Sequence, residues 1–184
     1  MKRIIAFVGM PGSGKGTCTE YLEKSGYTVF HFGNIVTQEE IPRRGLELNA
    51  ANEKIVREDL REKGGKGVLA SMVVDKIDQS NKDVIVLDGL YSWTEYRILN
   101  EAYGEDLLLI AVYTPKVDRY ARLMARDYRP LTKEEATLRD VAEIENLEKG
   151  GPIAYADYLL HNTETPESLK SELDNLLLSL GVSK

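Results

Sequence analysis

Cysteine is almost absent from this sequence. Cys18 is the single one, which excludes an internal disulfide and makes a reducing, cytoplasmic setting the expectation. No histidine lies near it in sequence, so Cys18 reads as a small packing residue of a helix and not as a nucleophile. A basic excess is missing as well: 24 Lys and Arg stand against 30 Asp and Glu, a formal net charge of −6. Nothing global therefore points to nucleic acid or to a membrane surface. No apolar run is long enough to span a bilayer, and Met1-Lys2-Arg3 leads straight into an apolar strand rather than into a signal peptide. Ten tyrosines without a basic face beside them do not define a base-stacking surface. Repeats and low-complexity linkers are lacking too, and 184 residues suffice for a full core, so one domain over residues 1–184 is expected, as a monomer or homodimer.

What the sequence does contain is Gly9-Met10-Pro11-Gly12-Ser13-Gly14-Lys15-Gly16-Thr17, placed between the apolar run Ile4 to Val8 and an amphipathic stretch that Gly26 stops. Strand, glycine loop and helix form the context of a phosphate-binding loop. Glycines let backbone N–H groups wrap a polyphosphate, the helix start adds its positive dipole end, and the Lys15 ammonium can reach the β- and γ-phosphates. An ordinary turn needs one or two glycines and has no use for a lysine there. Gly9, Pro11, Gly12, Ser13, Gly14, Lys15, Gly16, Thr17 and Cys18 are the candidate nucleotide-contacting positions. The residue after Lys15 is Gly16, without a hydroxyl for Mg²⁺, and Thr17 supplies one a place later.

Five short apolar strands alternate with helical patterns: Ile4–Val8, Tyr27–His31, Val84–Leu87, Leu107–Val112 and Tyr155–Leu160. That alternation predicts an α/β fold, a five-stranded parallel sheet with helices on both faces. Helices are expected over Thr17–Lys24, Asn49–Lys63, Val68–Ile77, Trp93–Ala102, Val117–Arg126, Lys133–Lys149 and Glu167–Leu180, with Pro42 interrupting one that opens at Gly33-Asn34. Gly64-Gly65-Lys66-Gly67 follows no strand and reads as a helix stop and hinge. Ligands of such a sheet bind at the carboxyl ends of the strands, which gathers the glycine loop, His31, Asp88-Gly89, Thr114 and His161-Asn162 around one crevice.

Asp88 ends an apolar strand, where a carboxylate is costly without a cation, and beside a phosphate loop that cation is Mg²⁺; the competing reading is an Asp that starts a turn before Gly89. Thr17 and Asp88 are the candidate metal ligands. Arg119, Arg122, Arg126 and Arg129 recur at helical spacing, either as a solvated face or as a face that neutralises a transferring phosphoryl group. Arg43-Arg44 and Arg57 lie between the second and third strands, as solvated residues or as acceptor ligands. Arg139 has Glu143 one turn on, so a salt bridge competes with a phosphate role.

Gly9 to Thr17, Asp88-Gly89 and Arg122-Leu123-x-x-Arg126 together resemble the nucleoside monophosphate kinases of the adenylate kinase type. The block spacing and Ala156-Asp157-Tyr158 look closer to archaeal-type nucleotide kinases related to adenylate kinase and dephospho-coenzyme A kinase. The resemblance implies ATP and Mg²⁺ as cofactors, an acceptor-binding helical segment at about residues 33–80 and a short lid near 127–138. It implies Arg119 or Arg122 near the adenine or phosphates of ATP, and His161 to Thr163 beside the adenine. Catalytic candidates are Lys15, Asp88, Arg122, Arg126 and Arg139; acceptor candidates are Gly33, Arg43, Arg57, Asp88, Gly89 and Arg97. Two departures leave the acceptor open: Asp88-Gly89-Leu90-Tyr91-Ser92 lacks a nearby arginine, Arg97 being the next, and Asn34 replaces the family's Asp. A nucleoside monophosphate such as AMP or CMP is the expected acceptor, with dephospho-coenzyme A, or a nucleotide switch without an acceptor, as alternatives.

Overall fold

The computed structural model describes residues 2–127 and 129–182. Strands β1 (Arg3–Val8), β2 (Thr28–His31), β3 (Val84–Asp88), β4 (Leu107–Tyr113) and β5 (Tyr158–His161) form one parallel sheet in the order β2-β3-β1-β4-β5. The helices are α1 (Lys15–Lys24), α2 (Phe32–Asn34), α3 (Ile41–Arg43), α4 (Ala50–Gly64), α5 (Val68–Gln79), α6 (Trp93–Tyr103), α7 (Lys116–Ala125), α8 (Lys133–Glu145), α9 (Gly150–Ala154) and α10 (Pro166–Ser179).

The uninterrupted apolar character of the central strands follows from coverage on both faces. Along β1, Ile4, Ala6 and Val8 enter one core layer while Ile5 and Phe7 enter the other. The first layer is closed by Leu69, Val73 and Ile77 of α5 and Tyr96 and Leu99 of α6; the second by Cys18 and Leu22 of α1 and Leu169, Leu173 and Leu177 of α10. This is the expected five-stranded parallel sheet with helices on both faces. No helix of the described residues is long and apolar enough to cross a membrane.

Several boundaries differ from the sequence reading. Pro42 does not interrupt its segment: a π-helical stretch, Ile35–Glu40, runs directly into α3, which carries Pro42 in its first turn. The helix expected through Arg126 ends at Ala125, and Arg126 is extended at φ −73°, ψ 144°. The helix expected through Lys149 stops at Glu145, after which Gly150-Gly151-Pro152 opens a short helix instead of a break. β5 starts three residues later than expected, because Tyr155 caps α9 and Asp157 docks on β4 first: its N–H donates to the Leu109 carbonyl and its carboxylate accepts from the Leu109 N–H, both at 2.8 Å.

Candidate nucleotide and acceptor site

β1 ends at Val8 and α1 begins at Lys15, so the glycine loop wraps the amino end of α1, where first-turn N–H groups lack intrahelical partners and favour an anion. Two glycines are required for backbone reasons. Gly12 sits at φ +78° and Gly14 at φ +103°; a Cβ on Gly14 would lie 2.1 Å from Asn162 Nδ2, and one on Gly12 2.8 Å from the Arg119 carbonyl. The loop is braced from behind. Asn162 Nδ2 and Thr114 Oγ1 donate to the Ser13 carbonyl at 2.8 and 3.0 Å, and Arg119 donates to the Pro11 carbonyl at 2.9 Å.

Lys15 Nζ donates to the Gly9 and Met10 carbonyls at 2.7 and 3.2 Å. Burial, and after it the charge of Lys149, lowers its pKa from 10.5 to about 8. The sign of the linkage follows. With a folded pKa below the unfolded one, the protonated form is the costly one in the fold, so ligand-free stability rises with pH between 8 and 10.5, relative to Lys15→Met. A bound polyphosphate restores the charged form. Calorimetry of Mg-ATP binding within that pH window, in buffers of different ionisation enthalpy, is expected to show proton uptake in the wild type and a smaller uptake in Lys15→Met.

In front of the loop lies a cavity of about 830 Å³ whose lining includes Gly12, Gly14, Lys15, Gly16, Thr17, Asp88, Arg122, Arg126 and Asn162. Asp88 Oδ2 lies 3.0 Å from His31 Nδ1, because the β2–β3 register sets His31 opposite Asp88. Arg122 donates to the Asn162 carbonyl at 2.9 Å and to Thr114 Oγ1 at 3.2 Å; Arg126 Nε donates to the Arg129 carbonyl at 2.5 Å. The cradle fits a polyphosphate on its own terms, since Gly12 and Gly14 keep it open where a Cβ would fill it. Thr17 and Asp88 share the cavity and suit Mg²⁺. Among the described residues no group of three His, Cys, Asp or Glu could hold a metal, so an ion here needs phosphate oxygens as well. Gly16 is not demanded by space, its nearest neighbour being Glu20 Oε1 at 3.9 Å from a built Cβ.

Other candidates lie elsewhere. The arginine stripe divides: Arg119, 6% exposed, turns inward and makes a bidentate pair with Asp140 at 3.0 and 2.7 Å. Its expected contact with adenine or phosphates is therefore corrected; engaged with Asp140 and Pro11, Arg119 braces the loop. Arg129 holds φ +50° beyond the helix, and the expected lid, 127–138, includes Tyr128, which lies outside the described residues. Cys18 is 1% exposed in the core, and burial pushes its thiol up to about 12, so it packs; its N–H donates to the Gly14 carbonyl and its expected nucleotide contact is corrected. Pro11 and Ser13 are buried within the loop and outside the described lining, while Gly9 turns its carbonyl to Lys15.

A second cavity of about 300 Å³ adjoins the first, with Tyr91 in both walls; Phe32, Gly33, Arg57, Arg61, Glu95, Arg139 and Glu143 also line it. Gly89, at φ +100°, turns the chain so that Tyr91 stands between the cavities. Arg57 donates to Glu53 at 3.1 Å and Arg139 Nε to Glu143 at 3.2 Å. Two acceptor candidates lie away from this cavity. Arg43 grips Glu40 in a bidentate pair at 3.0 and 2.6 Å with its side chain 68% exposed, and Arg97 is exposed on α6; neither is among the described lining residues. Sequence reasoning passed over Arg61, one turn after Arg57 and detectable by that spacing. It also passed over Lys149, which carries no local signal at all.

An AAA domain family profile, AAA_17, matches residues 8–139. The chain is similar to the UPF0200 protein TK1334 of Thermococcus kodakarensis, 36% identical over 95% of this chain and 96% of that one. Its fold is similar to that of TT1252 from Thermus thermophilus, at TM-score 0.66 and 22% identity over 97% and 98% of the two chains. It is also similar to shikimate kinase from Acinetobacter baumannii, at TM-score 0.60 and 18% identity over 100% and 97%. These structures share the P-loop kinase-like parallel sheet. By the span of the profile and the identity to full-length relatives, the chain belongs to the AAA domain family AAA_17 and to the UPF0200 proteins.

Proposed function

We propose that this protein is an ATP- and Mg²⁺-dependent phosphotransferase that moves the γ-phosphoryl group to a nucleoside monophosphate such as AMP or CMP. The observation that carries the reading is the meeting of two cavities at Tyr91: one with the glycine cradle and Lys15, the other with the guanidinium groups of Arg57, Arg61 and Arg139. Lys15 and the first-turn N–H groups of α1 would hold the β- and γ-phosphates. Thr17 and Asp88 would hold Mg²⁺, which supplies charge neutralisation on the phosphates. Arg122, Arg126 and Arg139 would neutralise charge on the equatorial oxygens as the bond to the β-phosphate oxygen breaks and the bond to the acceptor oxygen forms. An acceptor phosphate is already an anion, so no base is needed, and Arg57 with Arg61 stands in for the arginine missing after Asp88-Gly89. Closure of residues 127–138 over the site would exclude water.

A hydroxyl acceptor, as in dephospho-coenzyme A, is the second reading, and the His31–Asp88 pair favours it, because Asp88 would then take the hydroxyl proton. The test is ADP release from Mg-ATP across nucleoside monophosphates and dephospho-coenzyme A. Stimulation by a nucleoside monophosphate supports the first reading, stimulation by dephospho-coenzyme A alone the second. Slow release indifferent to every acceptor would sink both in favour of a nucleotide-dependent switch.

A further inference from the structure

We propose that Lys149 is a positioning residue for this phosphoryl transfer: a buried cation that shares the Glu143 carboxylate with Arg139 and so leaves Arg139 able to take an anion in the acceptor cavity. The inference rests on the phosphotransferase reading above.

Lys149 is 1% exposed. It reaches the interior because the chain turns sharply after α8: Glu148 takes φ +55°, a left-handed conformation that is costly for a non-glycine residue. The turn sends Glu148 outward, where its carboxylate accepts from Lys66 Nζ at 2.9 Å and from Thr94 Oγ1 at 3.3 Å, and it sends Lys149 inward. Inside, Lys149 Nζ donates to Glu143 Oε2 and lies 4.4 Å from the centroid of the Tyr91 ring, while its backbone N–H donates to the Glu143 carbonyl at 3.2 Å. Glu143 Oε1 accepts from Arg139 Nε.

Two cations thus meet on one carboxylate that is 7% exposed. A single buried ion pair is neutral and is weak evidence for a stability role, because desolvation offsets the attraction. Here one net positive charge remains, and it remains at the acceptor wall, since Arg139, Glu143 and Tyr91 all line that cavity. Lys149 is not among the described lining residues of either cavity, and its contacts to the acceptor wall run through Glu143 and the Tyr91 ring. Without it, Glu143 would either engage Arg139 alone or face an incoming phosphate as an uncompensated carboxylate. The first outcome neutralises Arg139 and the second repels the incoming phosphate, so either weakens binding of an anionic acceptor.

AMP is the probe, titrated calorimetrically into the wild type, Lys149→Met, Lys149→Arg and the double variant Lys149→Met/Glu143→Gln. Lys149→Met is expected to bind AMP about tenfold or more weakly while Mg-ATP affinity stays within about threefold. Lys149→Arg keeps most of the AMP affinity. The double variant recovers it to within about threefold, because the carboxylate that needed a second cation is gone, and this arm also stands should Lys149→Met fold poorly. AMP affinity unchanged in Lys149→Met, or no better in the double variant, overturns the proposal. Failure of the wild type to bind AMP overturns AMP as the acceptor instead. The role of Lys149 is then decided by slow Mg-ATP hydrolysis, which should fall about tenfold in Lys149→Met at unchanged Mg-ATP affinity and recover in the double variant; an unchanged rate overturns it.

Discussion

Lys15→Ala is expected to lower acceptor-stimulated ADP release by about a hundredfold to a thousandfold while leaving the protein folded. Lys15 is the only cation of the cradle itself, and its Nζ rests on the Gly9 and Met10 carbonyls, ready to exchange them for phosphate oxygens. A preorganised charge of this kind acts where negative charge builds during transfer, and its removal leaves the N–H groups alone to hold the phosphates. The variant should melt at or above the wild-type temperature near neutral pH. Burial lowers the Lys15 pKa to about 8, so the protonated side chain is a cost to the ligand-free fold that alanine removes. ADP release and thermal unfolding on the same preparation check both halves. Activity within about tenfold of the wild type would show that the cradle is not the donor site.

Arg119→Met is expected to produce the largest stability loss, about 3–5 kcal/mol. Arg119 neighbours Arg122 on one helix, yet its guanidinium is buried and makes two hydrogen bonds to Asp140 and one to the Pro11 carbonyl. Removing it leaves a buried carboxylate without its cation and a loop carbonyl without its donor, each a penalty of desolvation rather than of a lost attraction. Arg119→Met/Asp140→Leu, which removes both charges, should recover most of the loss. Urea unfolding measures the difference, and a loss below about 1 kcal/mol in the single variant would mean that the pair is solvated in solution. Mg-ATP affinity should fall as well, because Arg119 holds Pro11 at the turn of the loop.

The two expectations separate what a linear reading reaches from what it does not. Gly9 to Thr17 was legible because its defining residues answer local demands, positive φ at Gly12 and Gly14 and a cation at Lys15, and those demands are met within a few residues of chain. The central strands were legible because burial on both faces leaves no polar alternation in β1, β3 or β4. Arg119 and Arg122 could not be told apart, since they differ by one helical turn and the partner that claims Arg119 lies on α8. Arg43 and Arg57 were equally ambiguous, and their fates depend on Glu40, which the π-helical segment carries to Arg43, and on where α4 meets the second cavity.

The sequence by itself determined the phosphate-binding loop, the parallel sheet and the gathering of Lys15, Thr17 and Asp88 at its carboxyl edge, because short-range backbone geometry and two-sided burial are written in residue type and spacing. The tertiary structure alone decided which arginines face the cavities, that His31 meets Asp88, and that Lys149 lies buried beside Glu143 and Tyr91. Those outcomes depend on partners distant in sequence and on one left-handed residue, Glu148, and a charge becomes buried or available only when the packing around it is complete.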